Sequence, residues 1–71
     1  MRIEYQDKVD LLYIRLDEGP TEVVNKRVSE DIVLDIGSGD RIVGIEILNA
    51  SERLDVERLL SGVCTVERTA V

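Results

Sequence analysis

Seventy-one residues make one domain, and at this size only about 60% of the unfolded chain's surface can be buried, so a thin core and help from a partner chain are expected. Apolar residues at 44% and charged residues at 34% mark a globular chain and exclude a disordered one. Nine Lys and Arg against fifteen Asp and Glu give a net charge of −6, which argues against a nucleic-acid stripe, and the lack of His removes the usual neutral-pH general base and the commonest metal ligand.

The first strand is expected at about 2–5, closed by the turn signal Gln6-Asp7-Lys8. A second, about 10–16, holds Leu11-Leu12-Tyr13-Ile14, rich in β-formers and bounded by Asp10 and Asp17. Asp17-Glu18-Gly19-Pro20 is the clearest break, because Pro20 has no backbone donor and Gly19 permits positive φ. A third strand is expected at about 22–28, a three-residue loop at 29–31, and a fourth strand at 32–36. Gly37-Ser38-Gly39-Asp40 is a strong turn, and 41–48 is the fifth and most apolar strand. After it, Asn49 with Glu52 three residues on resembles a capping box, and Leu54 and Leu59 give helical spacing over about 50–60. Residues 63–71 form a tail or a weak edge strand. The fold class is α+β: an antiparallel meander sheet of four to five short strands followed by one C-terminal helix packed on one face.

Cys64 is the single cysteine, so no internal disulfide forms, and a reducing compartment fits. Met1 runs directly into charged, patterned sequence and no run approaches about 18 apolar residues, so neither a secretory leader nor a membrane helix is expected. A cytoplasmic location follows as the expectation.

Alternation splits each strand into two faces. With a last hairpin loop of 37–40, Leu34 should lie opposite Val43 and Ile32 opposite Ile45. One face then collects Leu12, Ile14, Leu16, Val24, Val28, Ile32, Leu34, Ile36, Val43, Ile45 and Ile47, and the helix is its cover. The other face carries Leu11, Tyr13, Val23, Val33, Ile42 and Leu48, with Asp35 and Glu46 among them. That is too apolar for a solvated sheet face, so Leu11, Tyr13, Val33, Ile42, Asp35 and Glu46 are the candidate subunit interface.

Constellations that carry chemistry are scarce. Asp7 and Asp10 flank a turn but lack the oxygen density a calcium site needs. Residues 35–40 suggest a calcium loop faintly, without its closing Glu; the glycines are explained by the hairpin. Asp31 is expected to face Glu46 across the last two strands, with Arg27 or a partner's cation compensating. Ser51 and Cys64 have no His to activate them, and no phosphate loop accompanies the glycines. No catalytic residue, cofactor or metal ligand is assigned.

The residues Asp10-Leu11-Leu12-Tyr13-Ile14, Ile32-Val33-Leu34-Asp35 and Val43-Gly44-Ile45-Glu46-Ile47-Leu48-Asn49-Ala50-Ser51 together resemble a small prokaryotic family, domain of unknown function 2283, over roughly residues 3–52. Here Gln6 and Ile36 stand where that family carries more acidic or aromatic character. The resemblance implies a stand-alone module with no established activity, and an antitoxin-like role beside a small toxin-like protein. Two readings are therefore carried forward. One is a non-enzymatic acidic interaction module that binds itself as a homodimer, or a basic toxin-like protein, with neither nucleic acid nor membrane as partner. The other is a divalent-metal or small-ligand binder using Asp7, Asp10, Asp31, Asp35 and Glu46.

Overall fold

Strand β5 (Ile42–Leu48), the most apolar run of the chain, lies in the middle of a five-stranded sheet between β2 (Leu11–Arg15) and β4 (Ile32–Ile36). The computed structural model describes residues 1–19, 22–62 and 64–69; Pro20 of the expected break and Val63, Ala70 and Val71 of the expected tail lie outside the described residues. β1 (Arg2–Gln6) and β3 (Val24–Arg27) are the two edges, in the order β1-β2-β5-β4-β3 with every pair antiparallel. The edges are the polar strands. Arg2, Glu4 and Gln6 of β1 and all four residues of β3 are exposed, and charge on an unpaired edge discourages further strand addition.

The expected meander order is realised in two pieces. β1 and β2 form one hairpin, β3, β4 and β5 form a consecutive run, and the chain passes from β2 to the far edge so that β5 can return against β2. The turns use residues that tolerate left-handed backbone. Asp10 (φ 53) ends the 3₁₀ turn Asp7–Val9, Gly39 (φ 72) and Asp40 (φ 59) make the β4–β5 turn, and Asn49 (φ 52) leaves β5.

The β4–β5 register differs from the expected one. Ile36 pairs with Ile42, so the loop is one residue longer than 37–40, and Val43 is then skipped in a bulge before Gly44 pairs with Asp35. Leu34 therefore faces Ile45 instead of Val43, and Ile32 faces Ile47 instead of Ile45. The same bulge carries Ile42 onto the face of Ile36, opposite to the face expected for it.

The helix expected over 50–60 is interrupted. Ala50–Glu52 is a 3₁₀ turn, and α1 (Val56–Leu60) is a separate single turn. The Asn49–Glu52 capping box does not form, because Asn49 adopts a left-handed backbone and its side chain makes no cap bond. The cap of α1 is Asp55, whose carboxylate accepts the Arg58 N–H at 3.0 Å. α1 and the turn before it lay Val56, Leu54 and Leu59 against Leu12, Ile47 and Ala50, with Tyr5 and Ile3 alongside. Among the described residues only Leu12 and Val43 are large side chains fully enclosed. Leu34 and Ile45 are half-buried, and Leu16, Val24 and Val28 of the expected core are exposed, because one helical turn does not reach that half of the sheet. No helix is long and apolar enough to cross a membrane.

Candidate functional site

The pairing Leu11–Leu48, Tyr13–Glu46 and Val33–Glu46 puts Leu11, Tyr13, Val33 and Glu46 on the sheet face away from α1, and Asp35 joins them opposite Gly44. Ile42 is not part of this group. The Tyr13 ring crosses over Gly44, where a Cβ would meet the phenol oxygen and lie 2.8 Å from Cζ. That close approach is why a strand interior carries a glycine there. The Tyr13 hydroxyl donates to Asp35 Oδ2 at 2.8 Å, and Asn25 Nδ2 donates to Oδ1 at 2.5 Å. Burial first, then the bond to Asp35, pushes the Tyr13 phenol pKa up. Val33 and Asp35 retain only 7% and 8% exposure. Asp35 is thus held by two side chains of its own face, on which Leu11, Tyr13, Glu46 and Leu48 keep intermediate exposure.

Asp10, Asp31 and Asp17 are each held by partners within the chain. Asp10 accepts the Tyr5 hydroxyl at 2.6 Å, the Ser51 hydroxyl at 2.6 Å and the Ser51 N–H at 3.0 Å, while its carbonyl accepts the Ala50 N–H at 2.9 Å. The Ser51 and Tyr5 hydroxyls hold Asp10 below its ordinary pKa, and the same Asp10 bond raises Tyr5 to about 12. Asp31 does not face Glu46; Val33 takes that register position. Asp31 instead receives Arg53 Nη2 at 2.6 Å, Arg53 Nε at 3.0 Å and Asn49 Nδ2 at 3.2 Å, and the guanidinium lowers its pKa. The expected compensating cation, Arg27, donates to the Glu30 carbonyl. Asp17 accepts the Gly19 N–H at 3.1 Å and Arg41 Nε at 2.9 Å. Among the described residues no three potential ligands gather around one point, so Asp7, Asp10, Asp31, Asp35 and Glu46 do not converge.

The open surface lies on the other face. α1 covers the Leu12–Ile47 end, and the opposite half, toward β3 and the β4–β5 turn, has no cover. There Val24 is 72% exposed, Val28 57%, Ile42 49% and Leu16 44%. Val28, Leu34, Ile36 and Ile42 line an open groove rimmed by Lys26, Arg27 and Asp40. Sequence reasoning missed this half because it treated the helix as long enough to cover the whole face. The available signal was the weak helical spacing after Leu48, which supports only one short turn.

A family model described as "Protein of unknown function (DUF2283)" matches residues 2–51 of this chain. No curated protein and no solved structure matches it. The matched span ends on Ser51, the residue that Asp10 binds, and contains Tyr13, Asp35 and Gly44, which meet on one face.

Proposed function

Because the chain belongs to the DUF2283 family, whose description assigns no activity, we propose from its geometry that it is a non-enzymatic protein-docking module. The observation that carries this reading is the uncovered apolar half of the α1-bearing face, with Val24, Val28 and Ile42 about half exposed or more. A contiguous apolar surface rimmed by polar groups is the ordinary form of a protein contact site. Asp10, Asp31 and Asp35, by contrast, are held by the chain's own side chains, and among the described residues no three potential metal ligands gather around one point. A small basic protein, as an antitoxin-like role requires, is one occupant of this surface, and the net charge of −6 would draw it in.

Photo-crosslinking residues placed at Val24 and Ile42, with Glu4 on the opposite face as control, test the proposal in the cells that make the protein. Adducts of defined mass from Val24 and Ile42, with none from Glu4, are expected. A lack of adducts at both apolar positions would overturn it.

A further inference from the structure

We infer that the occupant of the open half is a second copy of this chain, stacked face to face about a two-fold axis. The inference rests on the docking reading above and names its partner. Two observations favour self-association. The first is the core: with only Leu12 and Val43 as fully enclosed large side chains among the described residues, an 8.0 kDa chain is short of buried surface. Covering its own open apolar half is the most direct way to gain it.

The second is charge. An isologous contact must be self-complementary, since each residue of one copy meets the symmetry-related set of the other. The chain carries −6, so two copies repel over most of their surface. Here Lys26, in register with Leu34 on this face, and Asp40 both line the groove, whereas Arg27 pairs with Val33 of the opposite face. A two-fold axis through the groove sets Lys26 of each copy toward Asp40 of the other. A basic partner would instead meet Lys26 as a like charge. Edge-to-edge pairing of two β3 strands is disfavoured because charged, exposed side chains on an edge strand discourage further strand addition.

Sheets stacked this way pack about 10 Å apart as a sandwich.

Light scattering coupled to gel filtration tests the inference on the full chain. At high micromolar concentration the parent should run at about 16 kDa, twice the 8.0 kDa chain. Ile42→Glu and Val24→Glu, both at exposed positions, should raise the dimer Kd about tenfold or more with unchanged far-UV circular dichroism. If either fails to fold, a charge swap decides. Lys26→Glu and Asp40→Lys should each weaken the dimer, and the two together in one chain should restore it. A parent of 8 kDa at every concentration overturns the inference, as does a dimer indifferent to all four substitutions. A monomeric parent that still crosslinks from Val24 to a different protein overturns the second copy alone and leaves the docking reading standing.

Discussion

Replacing Gly44 by Ala puts a methyl group where the Tyr13 ring lies, 2.8 Å from Cζ and 3.0 Å from Cε1. Gly44 does not have a positive φ, so the backbone itself accepts alanine without strain. The cost comes from the ring. To make room, Tyr13 must swing aside, and its hydroxyl leaves Asp35, which is 8% exposed and then keeps only Asn25. A hydrogen bond to a charged group contributes roughly 1.5–3 kcal/mol. Restricting the unfolded chain by Gly→Ala returns about 0.4–1 kcal/mol. The net loss should be about 1–2 kcal/mol, read from the midpoint of a urea transition with its slope unchanged. The decisive arm is the same substitution in a Tyr13→Val background, which removes every contacting ring atom and keeps a strand-forming residue. There Gly44→Ala should be neutral or stabilising by a few tenths of a kcal/mol, so the sign of the effect reverses. Equal cost in both backgrounds, or no cost in the parent, would refute the account of why a glycine occupies the middle of β5.

Leu12→Ala removes a fully enclosed side chain and should cost about 2–5 kcal/mol in the same urea assay, whereas Leu34→Ala and Ile45→Ala, both half-buried, should cost less; a loss below about 1 kcal/mol at Leu12 would show the core to be elsewhere. The lowered pKa values of Asp10, Asp17 and Asp31 mean that their contributions are complete above the ordinary carboxylate value near 4 and are lost as pH falls through the depressed folded values. Urea midpoints should therefore fall on acidification below about pH 4, and Asp31→Asn should flatten that fall. Tyr5 is raised to about 12, so its contribution is present below about pH 10 and disappears as pH climbs through the folded value. Ultraviolet titration should show Tyr5 ionising late, and Asp10→Ala should bring it back toward 10; an unchanged curve would contradict the Asp10 bond.

Strand positions were legible where alternation and turn residues agreed, as in the Leu11-Leu12-Tyr13-Ile14 run and around Gly39. The β4–β5 register was not, because Ile42 and Val43 are equally apolar and nothing in their order marks which one enters the bulge. Asn49 illustrates a local conflict: the same residue type serves as a helix cap and as a left-handed turn residue, and the link to Asp10 selects the second. That link joins residues 41 apart in sequence, so no local pattern announces it. Of the candidate interface, Leu11, Tyr13, Val33, Asp35 and Glu46 do share one face, and only Ile42 is carried to the other by the bulge. The hydrogen bonds that Tyr13 and Asn25 give Asp35 on that face cross from strand to strand, so alternation alone did not announce them.

The division of the sheet into a hairpin and a three-strand run also bears on how the chain assembles in time. Each unit joins strands adjacent in sequence, so its ladders can form by short loop closures. Uniting them is different, since the β2–β5 ladder pairs residues about 30 or more positions apart, from Arg15 with Gly44 to Leu11 with Leu48. Closing a loop of that length costs about 3 kcal/mol of chain entropy before any contact is made. The seam between β2 and β5 should therefore form last, with the Asp10 carboxylate on Ser51 fastening it at one end and the Val43 carbonyl on Leu16 and Asp17 at the other. A nick in the link between the two units would leave halves that still carry complementary seam edges, so the two fragments should recombine when mixed.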